Sequence, residues 1–171
     1  MTNINGKLDQ LAFYCSDDRQ EELIRNIYGL DEVPIDDVVT SRCRVAFKHD
    51  DSIADAPEVI NVGHLKFWYK LGMEFEILRY VSGPSWHDIN PMNGHCPFVS
   101  HHGIHIDDMS EMPDLKPFGL KLVQENFTIS HTSAYLTTPS SQGFGRKYHY
   151  RIYRLPDGQH LKLIKRIHLI A

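Results

Sequence analysis

The chain has 171 residues, is 42% hydrophobic and 11% aromatic, and carries a formal net charge of −4 from 18 basic and 22 acidic side chains. These values are typical of a soluble globular protein that can bury a sizeable core. They give no support for a nucleic-acid partner, and no apolar run is as long as a membrane span. Residues 1–7 contain no signal-peptide core, and the three cysteines lack CxxC spacing. We therefore expect a cytoplasmic protein without disulfides.

The first half of the chain predicts a strand, a helix and three further strands. Residues 7–14 have a strand pattern, and Asp17 and Asp18 then cap a helix that runs through about Tyr28 and stops at Gly29. β-branched residues predict a strand over 38–47, and an irregular acidic segment follows it. Two more strands, 59–70 and 73–81, form a hairpin around Leu71 and Gly72. These elements make up a βαβββ module over residues 7–81.

The second half predicts the same order of elements. Residues 82–97, rich in Gly, Pro, Asn and Asp, are predicted to be a linker. A strand over 98–106, a short, Pro-interrupted helical segment over 109–118, strand material within 120–137 and a hairpin of 148–155 with 160–167 follow. A glycine-flanked loop over 138–146 could close over a ligand, with a plain solvated connection as the alternative. The second βαβββ module is expected over residues 98–167.

A weak internal repeat relates the two modules. The strand around Gln10 matches the strand around His101, and each of these residues is followed two places later by a small residue. The strand around Glu76 matches the strand around Lys162. The offsets between matched positions nearly agree, since 101 − 10 = 91 and 162 − 76 = 86. Duplicated units bury their faces against each other, so the repeat predicts that these four side chains share one cavity.

This order of elements, with Gln or His in the opening strand and Pro-Asp-Gly before the last one, resembles the vicinal oxygen chelate superfamily. Its members include glyoxalase I, methylmalonyl-CoA epimerase, extradiol dioxygenases and bleomycin-binding proteins. The resemblance implies an α+β fold in which two βαβββ modules form paired, half-barrel mixed sheets around a cavity. It also implies a small-molecule substrate or ligand, and a homodimer, because family members commonly dimerise.

The resemblance further implies a divalent-metal site. Gln10, Glu76 and His101 fall on three of the four ligand positions of the family, and such oxygen and nitrogen donors suit Zn, Ni, Co, Mn or Fe. The fourth position, a Glu in the family, is Lys162, and a protonated lysine has no lone pair to donate. The first hypothesis is a metal-dependent lyase, isomerase or dioxygenase for a small oxygenated substrate. The alternative is a metal-free binding protein in which Lys162 pairs with Glu76.

Other polar residues are candidates for acid–base catalysis in the same cavity. By strand alternation, His105 shares the face of His101, and His149 lies in the penultimate strand. Together with Glu76 and Lys162, these two histidines form the predicted catalytic set. For any single histidine, the alternative is a hydrogen-bonded packing role.

Overall fold

The structure is a computed structural model that describes residues 4–46, 52–84, 98–130 and 147–167. These residues contain one α-helix and eight strands, in the order β1 (Gly6–Tyr14), α1 (Asp18–Tyr28), β2 (Ile35–Val45), β3 (Glu58–Lys70), β4 (Met73–Ser82), β5 (Phe98–Ile106), β6 (Lys121–Ser130), β7 (Lys147–Arg154) and β8 (His160–Ile167). The loop predicted over 138–146, and most of the linker predicted over 82–97, lie outside the described residues. Where the chain is described, no helix has the length and apolar character needed to cross a bilayer.

The eight strands form one closed sheet in the order β1-β4-β3-β2-β6-β7-β8-β5. Each module contributes four neighbouring strands in the same internal order: first, fourth, third, second. The first and fourth strands of each module are parallel, and the other neighbours within a module are antiparallel. The modules join through the antiparallel pairs β1–β5 and β2–β6. The two half-barrels expected from the sequence therefore close into a single barrel.

The capping residues of α1 explain where the helix begins and ends. The Asp17 carboxylate accepts a hydrogen bond from the backbone N–H of Gln20 at 2.9 Å, which satisfies a donor in the first turn. Gly29 ends the helix at a φ of 61°, a left-handed conformation that glycine adopts without strain. The predicted helix is confirmed with Asp17 and Gly29 as its caps, whereas Asp18 is its first helical residue.

The second module departs from the prediction. The helical segment expected over 109–118 contains only a 3₁₀ turn, Lys116–Phe118, so the described fold is mostly sheet and the α+β label suits only the first module. Pro113 explains the difference, because it lacks a backbone N–H and disfavours helical geometry in the residue before it, whereas Pro117 lies within the 3₁₀ turn. Leu115 between them is nevertheless buried against strand residues of the second module.

Each module carries an apolar cluster on the outer face of the barrel. In the first module, outward side chains of β1, β3 and β4 pack against α1 and its end: Phe13, Trp68, Ile77, Ile24 and Leu30. In the second, outward side chains of the strands pack around the segment before β6: Ile106, Leu115, Leu122, Tyr153 and Leu163. Much of the hydrophobic core thus lies outside the sheet, and the barrel interior is available for polar groups.

Candidate functional site

The barrel interior contains buried polar side chains from both modules. Each is 8% exposed or less, and the set comprises Gln10, Asp37, Ser41, Asn61, Glu76, His101, Gln124, Asn126 and Lys162. Burying such groups is unfavourable unless they find hydrogen-bond partners. All of them line one of two cavities of about 50 Å³ each, enough for a few water molecules or a small ligand group.

The two cavities differ in chemistry. The first, called here the amide cavity, is marked by neutral polar residues of β2, β3 and β6: Ser41, Asn61, Gln124 and Asn126. The second, the aromatic cavity, is marked by aromatic and acidic residues: Phe67, Tyr69, Tyr148, Tyr150, Asp37 and Glu74. Val39, Leu65, Glu76 and Tyr150 line both cavities. The two cavities are therefore neighbours, with these four side chains between them.

The strand register places Glu76 and Lys162 at equivalent points of the two modules. Ala12, two residues after the first-module glutamine, is the partner of Glu76 between β1 and β4. Gly103, two residues after the second-module histidine, is the partner of Lys162 between β5 and β8. The four side chains related by the repeat therefore do meet inside the barrel.

The three predicted metal ligands are hydrogen-bonded to one another. Gln10 Nε2 donates to Glu76 Oε2 at 2.8 Å and to Glu74 Oε1 at 2.6 Å. Because carboxylates accept hydrogen bonds, this fixes the amide orientation and turns Gln10 Oε1 toward His101 Nε2, 3.1 Å away. His101 Nε2 must then carry the proton, and Nδ1 accepts from the Ser100 hydroxyl at 2.9 Å.

Lys162 reaches the same carboxylate from the second module. Its Nζ lies 3.8 Å from Glu76 Oε2, and the two side chains are 10% and 2% exposed. The same Nζ lies 4.2 Å from the centroid of the Tyr150 ring. An ammonium is attracted both to a carboxylate and to an aromatic face, and more strongly where water is excluded. Glu76 therefore already has a buried cation beside it.

Burial governs the protonation of the groups around this pair. Burial raises the pKa of Glu76 above its usual value, the Lys162 ammonium opposes that shift, and the nearby Glu74 carboxylate adds to it. Burial likewise raises the pKa of Tyr150 well above its usual value, with Tyr148 and the neighbouring carboxylates adding to the effect. The Tyr150 phenol therefore stays neutral and presents its ring to Lys162.

This arrangement does not fit a divalent metal at Gln10, Glu76 and His101. The histidine points an N–H rather than a lone pair toward the cluster, and the glutamine oxygen accepts that N–H. A dication would also have to displace the Lys162 ammonium from the only carboxylate of the three. Within the described ranges, no group of three His, Cys, Asp or Glu side chains is placed to hold a metal ion. The predicted ligands thus come together as a hydrogen-bonded cluster.

The structure separates the two histidines of the predicted catalytic set. His105 lines the aromatic cavity, and its Nδ1 lies 2.5 Å from Asp9 Oδ1. His149 alternates with the cavity residue Tyr150 along β7 and points to the outer face, where its Nε2 lies 2.7 Å from Glu125 Oε1. Only the first of these histidines is therefore brought into the interior with Glu76.

The amide cavity contains residues that the sequence did not identify. Asn126 Nδ2 donates to Ser41 Oγ at 3.2 Å, and Asn61 Nδ2 donates to the Pro84 carbonyl at 3.1 Å. These side chains come from β2, β3 and β6, and β6 is distant in sequence from the other two strands. In the sequence, such a residue could be recognised as a polar residue on an otherwise apolar face of a strand. That face can be assigned to the interior only once the strand register is known.

No family model and no curated protein matches the chain. Similar solved structures include a hypothetical protein of Bacillus halodurans, with 12% identity and a TM-score of 0.49, covering 97% of this chain and 98% of that one. A mutant of 4-hydroxymandelate synthase from Streptomyces coelicolor has 12% identity and a TM-score of 0.48, with 100% of this chain and 52% of that one covered. Methylmalonyl-CoA epimerase from Mycobacterium tuberculosis has 13% identity and a TM-score of 0.46, with coverages of 98% and 94%. At these identities the comparisons assign no reaction to this chain.

The strand order of the chain itself identifies the architecture. Two four-stranded modules share one internal order, join edge to edge and enclose a polar cavity between them. This is the paired-module arrangement implied by the internal repeat and by the order of elements in the sequence. The chain thus has the paired-module barrel that its resemblance to the vicinal oxygen chelate superfamily implies.

Proposed function

We propose that this protein binds a small polar molecule inside the barrel without a metal ion. One observation carries the proposal: the Lys162 ammonium lies beside Glu76 and over Tyr150, at the position where the superfamily places a fourth metal ligand. A buried carboxylate needs a positive partner, and here the chain supplies that partner itself.

The amide cavity is suited to recognise uncharged polar groups of the ligand. Ser41, Asn61, Gln124 and Asn126 bring hydroxyl and carboxamide groups that both donate and accept hydrogen bonds. Apolar side chains complete the walls: Val39, Leu65, Leu78 and Ile152. Ligand pockets typically combine apolar walls with a few convergent polar groups, as this one does. The volume of about 50 Å³ in each cavity favours a small ligand.

The proposal is tested by fragment binding in the absence of metal. EDTA-treated protein is screened by NMR against small neutral amides and alcohols, and each hit is titrated again with Asn61→Leu. We expect binding that persists in EDTA and weakens about tenfold in this variant, because a ligand hydrogen bond would be lost in a desolvated site. Asn26→Leu, at an exposed position on α1, is the matched control and should bind like the wild type.

Two results would overturn the proposal. One is the lack of any hit that depends on Asn61, with Gln124→Leu as the second variant if Asn61→Leu fails to fold. The other is stoichiometric binding of Zn or Ni to the wild-type protein, accompanied by a higher Tm and lost in His101→Ala. That second result would restore the metal-dependent hypothesis.

A second candidate is an isomerase that moves a proton through Glu76 without a metal. The observation in its favour is that Glu76 lines both cavities, so its carboxyl group can contact a ligand in either one. This candidate predicts exchange of a ligand C–H for deuterium in D₂O, abolished by Glu76→Gln. A ligand that binds but shows no exchange would exclude it.

A further inference from the structure

The aromatic cavity has a composition different from the rest of the interior. Its described lining contains four aromatic residues and three carboxylates: Phe67, Tyr69, Tyr148, Tyr150, Asp37, Glu74 and Glu76. The Tyr148 and Tyr150 rings are nearly parallel, at 13°, with centroids 5.7 Å apart. Ring faces and carboxylates thus surround one small volume.

Glu74 is held in place by neutral donors. Gln10 Nε2 donates to its Oε1 at 2.6 Å, and the Tyr69 hydroxyl donates to its Oε2 at 2.8 Å. These hydrogen bonds orient the carboxylate at the cavity wall without contributing a positive charge. The negative charge of Glu74 therefore remains available to a ligand.

We infer that the aromatic cavity binds a small organic ammonium group, and that the ligand of the proposed function carries this group. The inference rests on the proposed binding function and adds the ligand class to it. Aromatic faces attract cations through their quadrupole, and the wall carboxylates add a Coulomb attraction of the same sign. The Tyr150 ring already stabilises one ammonium in this way, that of Lys162.

The same lining disfavours other occupants. An anionic group would be repelled by Asp37 and Glu74, while Lys162 offsets the charge of Glu76. Among the described residues, no group of three acidic, His or Cys side chains is placed to hold a metal ion. Four aromatic side chains line the cavity instead. This lining suits an organic cation, which ring faces can surround without directed ligand bonds.

The test compares a cation with a neutral molecule of similar size. Methylammonium and methanol are titrated into EDTA-treated protein, and aromatic NMR shifts report binding. We expect the cation to bind about tenfold tighter, and both Glu74→Gln and Tyr148→Leu to remove most of that preference. Glu22→Gln, an exposed carboxylate on α1, is the matched control and should leave the preference unchanged.

The outcomes separate this inference from the proposed function. Equal affinities for the two probes, or an undiminished cation preference in Glu74→Gln, would overturn the ammonium site. If Tyr148→Leu fails to fold, the result with Glu74→Gln is sufficient to test the ammonium site. Asn61-dependent binding of neutral fragments would still support the proposed function in that case. If neutral fragments also failed to bind, both the ammonium site and the proposed function would be contradicted.

Discussion

Gln10 lies opposite Gly103 across the β1–β5 pair, and a Cβ on that glycine would lie 2.7 Å from the Cβ of Gln10. The missing side chain at Gly103 is therefore what allows Gln10 to turn into the barrel. Ala12 takes the corresponding place opposite His101. The small residue that follows each repeated polar residue thus makes room for the polar residue of the other module.

Gly103→Ala should displace Gln10 and break its hydrogen bond with His101. Overpacking of this kind costs about 1–3 kcal/mol, which urea unfolding would measure, and the His101 ring NMR signals should shift. Gly63→Ala is the control, because its one close approach would be to the flexible tip of Leu78, at 3.1 Å, with Arg79 O and Leu65 Cδ2 at 3.8 Å, an ordinary contact distance. Equal stability losses in the two variants, with unmoved His101 signals, would contradict this explanation.

Lys162→Met should leave Glu76 buried without its cation. Breaking a buried pair in this way costs about 3–5 kcal/mol, and the remaining Gln10 hydrogen bond places the expected loss at the lower end. Urea unfolding at neutral pH would measure it. Adding Glu76→Gln should recover most of the loss, because the uncompensated charge is then gone.

The exposed pair of Lys116 with Asp114, at 3.5 Å, provides the comparison. Its side chains are 55% and 47% exposed, so Lys116→Met should cost less than about 1 kcal/mol. If Lys162→Met costs no more than Lys116→Met, the interior pair does not have the role assigned to it.

Lys162→Glu should create a metal site. The change removes the ammonium from Glu76 and places a second carboxylate at the equivalent point of the other module. We expect the EDTA-stripped variant to take up about one Zn or Ni ion and gain thermal stability, measured by elemental analysis and Tm. His101→Ala in the same background should abolish uptake, and Lys162→Met, which adds no ligand, should bind none. Unchanged metal affinity would show that the lysine is not what excludes a metal.

His160 should make the protein less stable in mild acid. Burial, aided by the charge of Arg154, lowers the pKa of His160 to about 4, below its usual 6.5. The unfolded state then binds more protons between these values, so stability is complete above pH 6.5 and is lost as pH falls toward 4. The difference corresponds to an effect on the order of 3 kcal/mol. Urea unfolding at several pH values should show a flatter profile for His160→Gln, and identical profiles would refute the assignment.

Local sequence patterns account for most of the fold. Residue alternation and turn residues predict β5 and β8 with their observed bounds, and capping residues predict α1. Of the helical segment predicted in the second module only a 3₁₀ turn forms, because Pro113 removes a backbone donor from its middle. Pairing across the barrel is not encoded locally, since strands far apart in sequence must first meet.

For the candidate site too, some residues could be predicted from the sequence and others depend on how distant strands pair. The repeat is sufficient to bring Gln10, Glu76, His101 and Lys162 to one place. The amide cavity depends on which residues of β2, β3 and β6 point inward, and the register shift between Leu122 and Gln124 alters that alternation in β6. Residues such as Gln124 therefore could not be assigned to the interior from sequence spacing alone.

The opposite charges of Glu76 and Lys162 make the two modules unequal partners. A barrel assembled from two copies of the first module would bring two carboxylates together at this point, and two copies of the second would bring together two ammonium groups. Either assembly would suffer like-charge repulsion in a site with little water. Pairing Glu76 of the first module with Lys162 of the second avoids this repulsion, so neither module can replace the other in the barrel.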